Sequence, residues 1–291
     1  SFQVKNSLLL LLTATIWGIA FVAQSVGMEH VGPFTFTFSR SMIGGMVLLP
    51  CILLLGKWKK GFATKVEWIG GICCGIALCV ASNFQQVGMQ YTTVGKAGFI
   101  TALYVVLVPI FGIFMKKRVS LLIWGCVAVS VAGLYLLCMP AGAFVLAFGD
   151  LLVLLCAVLF SVHILVIDHF SPKGDGVVIS CIQFFTCGIL SAIVMFFAEN
   201  PSMVNILAAK WPILYAGVLS SGVAYTLQVV AQKNVNPTVA SLILCLESVV
   251  SAIAGWLVLH ETLSVMEFLG CGLMFIAIVL AQIPIPERKK A

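Results

Sequence analysis

Charge is scarce in this chain. Only 9% of its 291 residues are Asp, Glu, Lys or Arg and 62% are hydrophobic, against about 25% and about 45–50% in soluble domains. That shortage excludes an ordinary soluble protein. Chemical motifs are missing as well: there is no phosphate-cradling glycine loop, no serine nucleophile elbow, no metal-ligand spacing and no C-x-x-C pair. No cofactor, metal or catalytic residue is therefore expected. The eleven cysteines do not form a disulfide framework. Cys73, Cys74, Cys79, Cys126, Cys138, Cys156, Cys181, Cys187, Cys245 and Cys271 sit inside apolar runs and Cys51 near the end of one, which is where small helix-packing residues belong.

Long apolar runs are what the sequence has in abundance. A helix needs about 20 residues to cross a hydrocarbon core of about 30 Å, and such runs recur at 6–26, 34–55, 68–90, 95–115, 120–139, 149–168, 177–198, 212–232, 236–259 and 264–284. They predict an all-α integral membrane protein of ten transmembrane helices with short links. The first run lacks a small-residue cleavage site and reads as a retained span. With the amino terminus inside, Lys5, Lys57, Lys59, Lys60, Lys65, Lys116, Lys117, Arg118, Lys173, Lys233, Arg288, Lys289 and Lys290 fall in the cytoplasm, leaving only Arg40, Lys96 and Lys210 elsewhere. By the positive-inside rule both termini are cytoplasmic and the protein lies in the cytoplasmic membrane. The net charge of +6 then reflects orientation, not binding of nucleic acid.

Shifted by 142 to 145 residues, the sequence matches itself weakly but helix by helix. Trp17 falls opposite Phe160, Ala20 opposite His163, Arg40 opposite Gln183, and Asn83, Gln86 and Gln90 opposite Tyr225, Gln228 and Gln232. In the fifth helices "GCVAVSVAG" (125–133) meets "GCGLMFIAI" (270–278). The chain thus divides into five-helix repeats at 1–145 and 146–291. Five is odd, so the second copy enters the bilayer in the opposite sense. Two inverted repeats can enclose one central site and expose it alternately to either side.

Polar side chains inside the spans mark that site. Residues three, four and seven apart share a helix face, so Asn83, Gln86 and Gln90 form one stripe and Tyr225, Gln228 and Gln232 its counterpart. They line either a hydrated interior or a set of interhelical hydrogen bonds, with Gln90 and Gln232 nearest an entrance. Thr101 and Tyr104 lie one turn apart in the fourth helix, and Pro109 follows where a missing donor can kink it. Trp17 and Gln24, with Phe160 and His163, would add aromatic walls and hydrogen-bonding groups. Arg40 either snorkels to the interface or guards an outer gate and attracts a carboxylate. Glu247 lies about ten residues into "LILCLESVVSAIAGW", hence about 15 Å deep, near the midplane. A carboxylate there costs about 2.5–3.5 kcal/mol to insert. It is a proton-coupling group, a hold for a substrate ammonium, or a hydrogen-bonded tie to a neighbouring helix. Small residues at "GICCG" (71–75), Ala128 and Ala132, and Ala277 and Ala281 predict close helix approach. His163 and Asp168 have the H-x4-D spacing of an acyltransferase, but five residues set them about 140° apart on a helix, where they would not cooperate.

The segments "TIWGIAFV", "FTFSRSMIGG", "GKAGFITALYVVLVPIFGIFMKKRVS" and "NPTVASLILCLESVVSAIAGWLVLHETLS" resemble ten-helix members of the drug/metabolite transporter superfamily, of the EamA-domain type. One departure is Ser248, where the family often has proline after the glutamate. The resemblance implies a secondary transporter, often an exporter, of amino acids, other small metabolites, nucleotide sugars or drugs; among these, a set of amides and aromatics with one acid and few bases suits an amino acid or a similar small neutral or zwitterionic metabolite. A facilitative uptake carrier or exchanger of the same fold is the alternative. The expected partners are the substrate, membrane lipid and protons as a coupling ion, with the protein a monomer or a homodimer in a prokaryotic membrane.

Overall fold

A computed structural model of the chain describes residues 2–54, 56, 61, 63–92, 94–115, 119–138, 147–259 and 264–281. The loop cations Lys57, Lys59, Lys60, Lys116, Lys117, Arg118, Arg288, Lys289 and Lys290, and most of the "KKRVS" and "HETLS" endings, lie outside these residues.

The described chain is helical, with ten long segments, α1 (Phe2–Gly27), α2 (Pro33–Leu54), α3 (Lys65–Gly88), α4 (Val94–Ala102 and Tyr104–Phe114), α5 (Leu121–Cys138), α6 (Phe148–Phe170), α7 (Gly176–Ala198), α8 (Lys210–Gln232), α9 (Pro237–Leu244 and Glu247–Leu259) and α10 (Val265–Ala281), besides a 3-10 turn at Ser171–Lys173 and a short helix at Met203–Ala208. Seven helices are individually long and apolar enough to cross a membrane, and Ile100–Phe114, Leu121–Leu136 and Phe268–Ala281 are shorter apolar helices. Leu54, Leu121, Phe197 and Phe268 point outward, fully or largely exposed, as lipid-facing side chains must in a fold whose backbone groups are satisfied within helices.

Local chemistry sets the helix starts. At α3, Thr64 and Glu67 form a reciprocal capping box, with Thr64 N donating to Glu67 Oε2 at 2.7 Å and Glu67 N to Thr64 Oγ1 at 3.3 Å. Asp175 Oδ1 caps α7 by accepting from Val177 N at 2.9 Å, and Asn236 caps α9 ahead of Pro237. The start of α2 takes its cap from the far half of the chain. Glu199, just past α7, accepts from Phe34 N and Thr35 N, both at 2.8 Å.

Side-chain register fixes the helix directions. Thr13 donates to Ala224 O and Trp17 to Ser220 O, so α1 and α8 are antiparallel. A Cβ on Gly217 would meet Ile43 and one on Gly222 would meet Val47, so α2 and α8 are parallel. Ser41 donates to Cys187 Sγ and Cys181 to Gly45 O, making α2 and α7 antiparallel. Gly71 faces Ile182 and Gly75 faces Thr186, so α3 runs with α7. Gly70 faces Phe170 and Gly88 faces Val153, so α3 opposes α6. Hence α1, α3 and α7 point one way and α2, α6 and α8 the other. Thus α1, α2 and α3 oppose their counterparts α6, α7 and α8, and the repeats are inverted. The neighbours exchange accordingly: α3 packs on α6 and α7 as α8 packs on α1 and α2, while α2 with α7 and α5 with α10 form the self-paired contacts.

Two glycines make this symmetry concrete. A Cβ on Gly75 would lie 2.6 Å from Thr186 Cβ and 2.7 Å from Gln183 O; on Gly217 it would lie 2.7 Å from Ile43 Cβ and 3.2 Å from Arg40 O. Thr186 and Ile43, like Gln183 and Arg40, are repeat counterparts. The small-residue contact expected of "GICCG" is therefore present and doubled. In α5 the close approach falls instead at Gly133, against Gly270 and Met274 of α10, while Ala128 and Ala132 face outward.

Both interrupted helices break at equivalent places. Leu103 N bonds Ile100 O and Leu246 N bonds Ile243 O, each at 3.2 Å, a three-residue closure that overwinds one turn. The step in α4 thus lies at Leu103, not at Pro109, which sits buried within the second half of the helix. The step in α9 forms without a proline after Glu247. Tyr104 and Glu247 each open a half-helix.

Candidate functional site

The half-helices, α1, α2, α3, α6 and α8 converge on one central cavity. Trp17, Gln24, Arg40, Thr101, Tyr104, Phe160, His163, Tyr225, Gln228 and Glu247 all line it. Its free space is small, ≈ 30 Å³ for the centres of water-sized bodies, room for about two at 10–15 Å³ each. The space is narrow, with the side chains of both halves close around it.

Glu247 is 5% exposed and Tyr104 Oη donates to its Oε1 at 2.9 Å. Next to it Ser248 Oγ donates to Gly98 O of α4 at 3.2 Å, so the two broken helices are joined at their steps. Arg40 is 4% exposed and its Nη1 donates to Gln24 Oε1 at 3.3 Å. No ion pair links Arg40 to Glu247, although both line the same cavity. Aromatic rings wall it: Trp17 and Tyr225 stack tilted at 4.4 Å between centroids, with the Phe160 and Tyr225 rings edge-on to His163 at 6.4 and 5.9 Å. His163 Nε2 meets Gln183 Oε1 at 3.1 Å. That leaves His163 Nδ1 and Gln228 Oε1 buried with no hydrogen-bond partner among the described residues.

Four expected site residues lie elsewhere. Asn83 turns to α7, donating to Ser191 Oγ at 2.9 Å and to Cys79 O at 2.9 Å; it holds helices together. Gln86 is fully buried outside the lining, both polar atoms unpartnered among the described residues. Gln90 is exposed in the turn after α3. Gln232 is buried and donates to Ile164 O of α6 at 3.3 Å. Arg40 moves the opposite way, from an expected gate position into the cavity, and brings α2 with it.

Gln85 and Ser220 are the polar lining residues that sequence reasoning passed over. Gln85 Nε2 donates to Thr101 Oγ1 at 3.1 Å, and Ser220 supplies the carbonyl for Trp17. The cause of the error is a register change. Gly70 and Gly75 pair with Pro212 and Gly217 at a spacing of 142, but Gln85 pairs with Gln228 at 143. Between them α8 winds as a π-helix over Tyr215–Tyr225, which takes up one extra residue. Carrying the 142 spacing past that segment points to Gln86 in place of Gln85.

The chain matches the EamA-like transporter family twice, over residues 5–139 and 147–282. It is 31% identical over 280 residues to an uncharacterized transporter of Archaeoglobus fulgidus, covering 94% of this chain and 84% of that one. With the uncharacterized transporter YoaV of Bacillus subtilis it shares 23% identity over 99% of its length and all of the relative's. With the uncharacterized inner membrane transporter YedA of Escherichia coli it shares 22% identity over 91% of its length and 86% of the relative's. A solved crystal structure superposes with a TM-score of 0.80 at 20% identity, covering 96% of each chain, which shows the fold. With its duplicated halves, inverted packing and two matches to one family, this chain is a multi-pass membrane transporter, not an enzyme, and it belongs to the EamA-like transporter family.

Proposed function

We propose that the protein is a secondary transporter that moves a small zwitterionic or neutral metabolite, an amino acid or similar solute, outward across the cytoplasmic membrane by alternating access. The observation that carries this reading is that Arg40 and Glu247 line one buried cavity without pairing. Buried charges are costly unless compensated. A ligand with a carboxylate at one end and an ammonium at the other supplies both partners at once: the guanidinium takes the carboxylate as a fork, and Glu247 the ammonium.

His163 Nδ1 and Gln228 Oε1 add acceptors for an ammonium, and Trp17, Phe160 and Tyr225 cover the apolar part of the solute. The limited free space requires the halves to part before a solute enters, which the steps at Leu103 and Cys245–Leu246 permit. Protons are the coupling ion in this reading, through Glu247. Described cations agree with cytoplasmic termini: Lys5, Lys65, Lys173 and Lys233 lie on one face by the helix directions and Lys210 on the other.

Counterflow in proteoliposomes against a panel of metabolites, with and without a pH gradient, tests the proposal. Exchange of zwitterionic solutes that responds to the gradient supports it. Exchange restricted to phosphate esters or to strongly cationic solutes overturns it.

A further inference from the structure

Away from the central site, an apolar groove lies between α4 and α6. Phe111 and Met115 of α4 form one wall, and Val162, Val166, His169 and Phe170 of α6 the other. By the measure that gives the central cavity ≈ 30 Å³, the groove holds ≈ 320 Å³, so it is much the roomier of the two. From Val162 to Phe170 the groove follows eight helical steps, about 12 Å, close to half of a hydrocarbon core of about 30 Å. That length accommodates much of one acyl chain.

The mouth carries charge. Lys173 does not extend into solvent but folds back, its Nζ 2.7 Å from His169 Nε2 and 5.8 Å from the centroid of the Phe170 ring. Both Lys173 and His169 are exposed, and they stand at the end of α6 that shares a face with Lys5, Lys65 and Lys233. Lys173 Nζ donates to His169 Nε2, which leaves the remaining ammonium N–H groups and His169 Nδ1–H for a ligand at headgroup level above an apolar trough, a combination that matches an anionic phospholipid.

We propose that this groove is a binding site for one anionic phospholipid, with an acyl chain lying along Val162–Phe170 and the phosphate held by Lys173 and His169. The α4 wall belongs to the half-helix that begins at Tyr104, so a bound chain rests against the element that reaches Glu247.

The test is photolabelling in vesicles with phosphatidylglycerol or phosphatidylcholine bearing the same diazirine acyl chain. Phosphatidylglycerol should label the peptide containing Val162–Phe170 at least about fivefold more than phosphatidylcholine, the preference one lysine near a surface gives. Lys173→Ala with His169→Ala should bring the two labels level, and Lys173→Gln alone should narrow the gap. Equal labelling of the wild type by both lipids, adducts absent from that peptide, or a preference unchanged in the variants would overturn the assignment. The wild-type comparison decides the matter even if a variant fails to fold.

Discussion

Tyr104 and Glu247 stand 143 residues apart, each opens the second half of a broken helix, and the phenol of one donates to the carboxylate of the other at 2.9 Å. They are repeat counterparts meeting across the pseudo-two-fold axis. In the proposed alternating-access cycle a bond between counterparts would belong to the occluded state, and a ligand of Glu247 would compete with it.

Glu247→Gln keeps the shape and removes the charge. If the ionised form holds a substrate ammonium, wild-type counterflow should fall as acidification protonates Glu247, and the variant should be slow with a flat pH profile. A variant matching the wild type in both rate and profile would remove Glu247 from recognition and from coupling alike. Tyr104→Phe should retain the pH slope while weakening the occluded state by about 1–3 kcal/mol, the range for a lost bond to a buried charged group.

Arg40→Lys retains the cation but not the planar fork. Recognition of a carboxylate by two parallel bonds should suffer, lowering apparent affinity for a zwitterion about tenfold or more in counterflow, with Arg40→Gln lower still. If Lys serves as well as Arg, the guanidinium does not grip a carboxylate.

Gly75→Ala and Gly217→Ala each place a Cβ within 2.7 Å of a neighbouring helix. Overpacking should cost about 1–3 kcal/mol, read as a lower melting temperature in detergent, and by symmetry the two should behave alike. Gly272→Ala is the control, since a Cβ there meets nothing within 4 Å; it should be neutral or stabilising, as alanine is the better helix former by about 0.5–1 kcal/mol.

Glu199→Gln removes a carboxylate that accepts from Phe34 N, Thr35 N and Thr35 Oγ1. An amide offers only one acceptor atom and no charge to the start of α2, so a loss of about 1–2 kcal/mol is expected, again as a lower melting temperature. An unchanged value would mean that the clamp between α7 and α2 adds nothing.

The fold was legible in the sequence because lipid enforces long apolar runs and an odd number of helices per copy enforces inversion; Gly71 and Gly75 even marked a true contact. The site was legible only in part. Of the residues lining the cavity, Trp17, Gln24, Thr101, Tyr104, Phe160, His163, Tyr225, Gln228 and Glu247 were singled out in the sequence, since polar or aromatic residues at mid-depth are few. Gln85 was not, because no residue type announces the π-helix of α8 that shifts the register. For Asn83 the sequence left cavity lining and interhelical bonding both open: its partners Ser191 and Cys79 are themselves uncharged residues in apolar runs, so a helix-packing amide looks like a cavity amide until the neighbouring helix is in place. The step at Leu103 is likewise silent, a backbone closure between Leu103 and Ile100 that carries no proline or glycine.

Counterflow of a zwitterionic amino acid, its carboxamide and its N-acetyl derivative through the same proteoliposomes is the most direct measurement. If Arg40 and Glu247 hold the two ends of one solute, the zwitterion exchanges and each derivative, lacking one charge, exchanges at least about tenfold more slowly. Equal exchange of all three would show that the two buried charges do not recognise a zwitterion.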